Sequence, residues 1–222
     1  MATNPSTKFT LSEAEVLRMT NPLRMTKIGV LALQGDVVEH IAAFERAGAD
    51  AVAVKTLRDF APVNALVIPG GESTTVMKLL ARSGLSDAIV DRVRAGMPLW
   101  GTCMGMIVAA REIVDLDQPT LNLIDIGVRR NAFGRQNESA EVDLRIPVLG
   151  SKRFPAIFIR APWIESRGPQ VELLAERDGR GVMVREGNVL ATSFHPELTG
   201  DPRVHRYFLE MLERQGKEST AA

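Results

Sequence analysis

Cysteine is nearly absent from this chain: one residue, Cys103, in 222. A lone thiol excludes an internal disulfide framework and fits a reducing compartment, so a cytoplasmic place of action is expected. Histidine is almost as scarce, with His40, His195 and His205 scattered along the sequence. One cysteine and three dispersed histidines give no zinc-site spacing, and no metal is expected. Neither sign of charge is in excess: Lys+Arg and Asp+Glu both number 27. That balance argues against a global footprint for nucleic acid or membrane. No apolar run approaches the roughly 20 residues that span a bilayer, and the first residues lack the apolar core of a secretory signal. No Walker-type glycine loop is present, so no nucleotide or other cofactor is expected.

What is present is ordinary in bulk and specific in detail. Hydrophobic residues make up 45% and charged residues 24%, the composition of a globular protein. A domain of this length buries roughly 70% of its unfolded surface. The cysteine sits in residues 98–110, PLWGTCMGMIVAA, where a short apolar stretch runs into Gly-x-Cys-x-Gly and then into small, helix-compatible residues. This is the thiol form of a nucleophile elbow, a sharp strand-to-helix turn that lifts one side chain to the end of a sheet. The glycines suit a turn in which backbone approaches backbone. The following helix aims its positive end at the sulfur and favours thiolate. The competing reading is a small buried hydrophobe, the usual fate of a lone cysteine.

A cysteine nucleophile needs a base and a group to orient that base. Residues 191–198, ATSFHPEL, offer His195 and Glu197 two positions apart. On extended backbone, positions i and i+2 face the same side. An apolar stretch precedes His195 and a proline follows it, which puts it at a strand end, where open α/β sheets place their sites. His40 and His205 fall within amphipathic helix patterns and are read as solvated residues on or near polar faces.

Along the chain, residues 1–25 read as a polar, disordered appendage with a Ser12–Glu15 capping-box pattern and a possible short helix over 12–19. Met25 is an equally good start. Strands are expected at 27–33, 51–55, 65–68 and 99–101, and helices at 37–48, 76–82 and 85–94. This alternation indicates a doubly wound parallel sheet. Beyond about residue 120, short strand patterns at 125–133, 141–148, 154–160, 171–176, 181–185 and 189–194 indicate added antiparallel strands, before a closing helix at 202–214 and a frayed polar tail at 215–222. The expected fold is therefore α/β, with a mostly parallel, flavodoxin-like central sheet, helices on both faces and antiparallel additions. Residues 26–214 form one domain.

An oxyanion formed during acyl transfer needs backbone donors. The elbow supplies the Met104 N–H, and the Pro69-Gly70-Gly71-Glu72-Ser73 turn at a strand end is suited to supply another. In this order, Pro-Gly-Gly-Glu-Ser, Gly-Thr-Cys-x-Gly and His-Pro-Glu resemble the class I (triad) glutamine amidotransferases. Residues 29–35 (GVLALQG), 69–75 (PGGESTT), 129–136 (RRNAFGRQ), 158–162 (FIRAP) and 191–199 (ATSFHPELT) narrow the resemblance to the glutaminase subunit of pyridoxal 5'-phosphate synthase. It covers about residues 27–212.

The resemblance implies a nucleophile at Cys103, a general acid/base at His195 and an orienting residue at Glu197. It implies that Gly70, Gly71, Glu72 and Ser73 line a glutamine pocket, with Gly71 as oxyanion donor beside Met104. Arg130, Ile159 and Arg160 would hold substrate, and Gln34 would lie near the oxyanion site at the face that meets the synthase. The implied partner is a (β/α)8-barrel synthase subunit in a large hetero-oligomer, with L-glutamine as substrate and pyridoxal phosphate bound elsewhere. Met104 stands where the family usually carries alanine. The alternatives are a glutaminase feeding a different synthase and an inactive regulatory module of this fold; the motifs at 129–136 and 158–162 weigh against the first, the intact Cys103, His195 and Glu197 against the second.

Overall fold

Near-continuous apolar runs form the central strands, because a parallel sheet is covered on both faces. The computed structural model describes residues 26–130 and 139–220. Strands β1 (Lys27–Leu31), β2 (Asp50–Val54), β3 (Ala65–Ile68), β4 (Leu99–Thr102) and β12 (Val189–Thr192) lie parallel in the order β2-β1-β3-β4-β12. The sheet continues through β11 (Arg180–Glu186), β9 (Trp163–Arg167), β6 (Ile124–Arg129) and β5 (Ala110–Ile113), with β10 (Glu172–Arg177) paired to β11. Strands β9, β10 and β11 enter by antiparallel pairing, while β5 and β6 are parallel to each other. A separate antiparallel ribbon joins β7 (Ser139–Leu144) to β8 (Phe154–Ile159).

Side chains of β3 alternate between the two faces. Leu66 and Ile68 pack with Val76, Leu80, Leu85 and Ile89, carried by α3 (Ser73–Ser83) and α4 (Leu85–Arg94). Ala65 and Val67 face Phe44 of α1 (Val37–Ala47), Phe208 and Met211 of α6 (Arg203–Thr220), and the ribbon residues Phe154 and Phe158. Helices thus cover both faces, as the sequence pattern indicates. Helix α1 ends where Gly48 adopts φ 91° and its N–H bonds back to Phe44 and Glu45, the usual glycine stop.

Among the described residues, two strands and one α-helix escape the sequence reading. Helix α2 (Leu57–Phe60) has four residues and is closed by a Thr56–Asp59 capping box. In β9 only Ile164 is buried, so it has no alternating apolar signal. Strand β5 follows directly after α5 (Met104–Ala109) and buries only Ala110 and Ile113, so it reads as more helix. The possible helix over 12–19 and residues 131–136 of the RRNAFGRQ motif lie outside the described residues.

The two histidines expected in solvent are instead fully buried, both at 0% exposure. His205 packs its ring 4.8 Å from Phe44 and 4.9 Å from Trp100, and His40 lies 5.4 Å from Trp100. Both sit on the inward stripes of their helices, His40 four residues before Phe44 and His205 three before Phe208. A reading that scores histidine as polar misses a ring that packs as an aromatic.

Burial, followed by the charge of Arg46, pulls the His205 pKa down to about 3. The unfolded residue titrates near its ordinary value of 6.5. Stability from the neutral ring is therefore complete above pH 6.5 and is lost as pH falls toward 3, by about 2 kcal/mol at pH 5. His205→Phe keeps a ring in place and removes the proton site. Urea unfolding at pH 8 and pH 5 should show this variant losing about 2 kcal/mol less than the unmodified chain between the two; an equal loss would remove His205 from the account.

Candidate active site

The elbow is built by close backbone contact. Strand β4 ends at Thr102, and Cys103 turns the chain with φ 50° and ψ −103° before α5 begins. Such a φ is uncommon for a residue with a side chain, and backbone strain of this kind concentrates at functional sites. The Cys103 N–H donates to Thr192 O at 2.7 Å, tying the turn to the end of β12. A Cβ on Gly105 would stand 1.9 Å from the Ile68 carbonyl oxygen, and one on Gly101 would stand 2.4 Å from the Gly105 oxygen. Both glycines of Gly-x-Cys-x-Gly are thus required by contact.

His195 and Glu197 meet as expected, but on different backbone. Strand β12 stops at Thr192, and His195 flanks a 3-10 turn over Pro196–Leu198. The tight turn folds the Glu197 side chain back onto the ring, and His195 Nδ1 lies 2.7 Å from Glu197 Oε1. The His195 N–H donates to Ile157 O of β8 at 2.8 Å. Both residues are buried, at 4% and 3% exposure.

Asp36 is a neighbour the sequence reading missed. It flanks the start of α1, yet makes no side-chain cap bond; its Oδ2 lies 3.3 Å from His195 Nδ1 instead. Burial acts to lower the His195 pKa, but hydrogen bonds with Asp36, Cys103 and Glu197 outweigh it and push it up to about 12. Burial raises the Glu197 carboxyl, opposed by the hydrogen bond from His195. Asp36, His195 and Glu197 place one ligand atom each within 4.8 Å. The 2.7 Å separation of His195 Nδ1 and Glu197 Oε1 suits a shared proton; a zinc ion about 2.0–2.2 Å from each atom would hold them farther apart.

A cavity of about 340 Å³ opens in front of the thiol, lined by Gln34, Asp36, Gly71, Glu72, Ser73, Cys103, Met104, Ile107, Arg130, Ile159, Arg160 and His195. Nearly every residue singled out in the sequence is therefore at one place. The exceptions are Glu197, which sits behind His195, and Gly70, which lies beneath it: a Cβ on Gly70 would stand 2.4 Å from His195 Cε1. Gly35, at φ 105°, lets the Gly70 carbonyl oxygen come to 1.6 Å from the place of its missing Cβ, so the turn bearing Gln34 and Asp36 is seated on the Gly70-Gly71 turn.

The cavity wall carries both signs of charge. The Glu72 carboxylate caps α3, accepting from the N–H groups of Thr74 (3.1 Å) and Thr75 (2.7 Å). Hydrogen bonds from Thr75, side chain first, hold its pKa near 2 against burial, so it is ionised. Arg130 Nη2 lies 3.8 Å from Glu72 Oε1, and Gln34 Oε1 accepts the Glu72 N–H at 3.3 Å. Gln118, absent from the sequence reading, gathers this wall: its Oε1 accepts from Thr74 Oγ1 (2.8 Å), Ser73 Oγ (3.4 Å) and Arg130 Nη1 (3.4 Å). It lies in an irregular loop with no motif to mark it. Ile159 O lies 3.8 Å from Cys103 Sγ, and Arg160 has φ 43°. Met104 is 1% exposed, and its Cε comes 3.4 Å from the place of a Gly71 Cβ, so the long side chain packs beneath the glycine turn.

A thiol on a strand-to-helix elbow, a buried His–Glu pair at the end of the adjacent strand, and a mostly parallel sheet with antiparallel additions together give the architecture of the class I glutamine amidotransferases. The chain belongs to the SNO glutamine amidotransferase family, whose model matches residues 30–214. It is 52% identical over 206 residues to pyridoxal 5'-phosphate synthase subunit PdxT of Acidothermus cellulolyticus, covering 90% of this chain and 100% of the relative. It is 54% identical over 187 residues to the subunit of the same name from Streptomyces coelicolor, covering 83% and 93%. A crystal structure of a glutamine amidotransferase superposes with a TM-score of 0.80 at 49% identity, covering 84% of this chain and 98% of the other.

The contact at Gly105 gives a direct check. Gly105→Ala must push the Ile68 carbonyl out of β3 or open the elbow, at a cost of at least about 2 kcal/mol. Thermal unfolding should show a clear loss of stability together with loss of Cys103 alkylation at its normal rate; a variant unchanged in both would show that the contact is not required.

Proposed function

We propose that this chain is the glutaminase subunit of a pyridoxal 5'-phosphate synthase, hydrolysing L-glutamine to L-glutamate and ammonia and delivering the ammonia to a (β/α)8-barrel synthase subunit. The observation that carries the reading is the buried, hydrogen-bonded His195–Glu197 pair whose imidazole lines, together with the Cys103 thiol, one cavity of small-ligand size. Family membership and the name its relatives carry suggest the choice of substrate and partner.

In this mechanism His195 holds the thiol proton, and the Cys103 sulfur attacks the side-chain amide carbon of glutamine. The N–H groups of Met104 and Gly71 receive the developing oxyanion. His195 passes its proton to the departing nitrogen, and ammonia leaves a γ-glutamyl thioester on Sγ. His195 then takes a proton from water, hydroxide adds to the thioester carbon, and the proton returns to sulfur as glutamate departs. Glu197 keeps the ring oriented throughout and stabilises its charged form. The ionised Glu72 carboxylate suits the substrate's α-ammonium, while Arg130 and Arg160 suit its α-carboxylate; Ser73 and Ile159 complete the wall and Gly70 leaves room for the His195 ring. Gln34 lies at the face that meets the synthase. Residues 26–214 are the glutaminase domain, with 1–25 as an appendage; the polar tail expected from 215 instead continues α6 as far as Thr220. The chain works in the cytoplasm within a large hetero-oligomer and needs no cofactor or metal of its own.

Two outcomes test this. Cys103→Ala should abolish ammonia release while leaving the thermal midpoint within a few degrees, because the thiol faces the cavity. Docking of the barrel subunit would turn the Gly70-Gly71 peptide so that its N–H meets the oxyanion, and ammonia released from glutamine should then rise about 10²–10³-fold when that subunit is saturating, the worth of one oxyanion donor. Equal turnover with and without the subunit would refute control by the partner, and normal release by Cys103→Ala would refute the nucleophile.

A further inference from the structure

Glu197 holds His195 through one carboxylate oxygen. The other, Oε2, is fully buried, and among the described residues no hydrogen-bond partner meets it within ordinary limits. A buried carboxylate oxygen without a donor is costly and calls for an explanation. His40 Nε2 stands 3.4 Å from it. The same nitrogen lies 3.0 Å from Thr102 Oγ1, on the residue just before the nucleophile.

The proton on the His40 ring can be placed by elimination. The ring is neutral, because burial, then His205 and His195, lower its pKa well below the ordinary value. It therefore carries one N–H. His40 Nδ1 has no hydrogen-bond partner among the described residues, so a proton there would be a wasted buried donor. The Thr102 hydroxyl donates to Ile68 O at 3.4 Å, which leaves its oxygen free to accept. A proton on Nε2 has Thr102 Oγ1 as its hydrogen-bond acceptor at 3.0 Å and the Glu197 Oε2 charge beside it at 3.4 Å.

We infer that His40 is a positioning residue for the active site: its Nε2–H, bonded to Thr102 and held beside the second oxygen of Glu197, sets the plane of that carboxylate and thus the direction in which it holds His195. The role rests on the glutaminase reading above. It makes α1 a support of the site from behind, and joins the residue preceding the nucleophile to the carboxylate that orients the base.

The titratable groups around this network are few. His205 of α6 lies 5.5 Å from the His40 ring, centre to centre, and carries the influence of Arg46. His195 and Glu197 come from the turn after β12, and Asp36 and Cys103 act on His195. An N–H beside Glu197 Oε2 favours the carboxylate. Its removal favours protonation of the His195–Glu197 pair, so the acid limb of activity moves to higher pH.

Two amides separate position from bulk. Glutamine at 40 places its amide nitrogen where Nε2 lies, and asparagine places its own where Nδ1 lies. With saturating barrel subunit, His40→Asn should lower kcat about 10–100-fold, the size typical of partners behind a functional histidine. KM for glutamine should change little, and the acid limb of kcat/KM should rise by about one pH unit. His40→Gln should keep kcat within about threefold and leave the acid limb in place. Iodoacetamide alkylation of Cys103 against pH should show the same pattern without turnover. Asn and Gln variants equally active with unshifted limbs, or equally impaired, would overturn the role. If the unmodified chain with the barrel subunit releases no ammonia, the glutaminase reading fails, and the alkylation profiles still decide His40.

Discussion

One carbonyl group, that of Ile68 at the end of β3, organises the site. Gly105 can approach it only because it lacks a Cβ, the Thr102 hydroxyl donates to it, and the chain leaves it directly into the Pro69-Gly70-Gly71 turn. The elbow, Thr102 and the Gly70-Gly71 turn are therefore fixed against a single strand end. The second constraint is similar in kind: the missing Cβ of Gly35 seats the Gln34–Asp36 turn on the Gly70 carbonyl. Backbone contacts of this sort place groups more rigidly than long side chains can, which is what donors to a developing charge require.

Around this frame, burial divides three histidines into two kinds. His40 and His205 are enclosed by Trp100, Phe44 and each other, and burial keeps them neutral. His195 is almost as buried, yet Asp36, Cys103 and Glu197 surround it with hydrogen-bonding partners and hold its proton. The difference lies in what the low-dielectric surroundings contain: aromatic rings in one case, a carboxylate on each side and a thiol in the other. A charged ring beside the sulfur and neutral rings behind the carboxylate are both consequences of where β4, β12 and α1 converge.

The order of strands and helices up to β4 was legible because buried parallel strands leave unbroken apolar runs and the helices between them keep a 3.6-residue rhythm. The glycines around Cys103, and the pairing of His195 with Glu197, were legible because chemistry restricts which residues stand there; the extended backbone assumed for that pair was incorrect, since Pro196 starts a 3-10 turn. Strand β9 was hidden by its polar exposed face, and α2 by its four-residue length. Asp36 and Gln118 were hidden because no motif marks them: one acts through a side chain that ignores its own helix, the other from an irregular loop. His40 and His205 were misplaced because their rings pack as aromatics while their letters count as polar.

The central claim is that the thiol held at this strand end becomes covalently acylated by glutamine. Rapid acid quench of the chain turning over glutamine with the proposed synthase subunit, followed by digestion and mass spectrometry, tests it most directly. The account predicts one γ-glutamyl group on the peptide carrying Cys103, formed fast enough to match steady-state ammonia release. Turnover at full rate with no acyl group on that peptide, or with one on another residue, would contradict it.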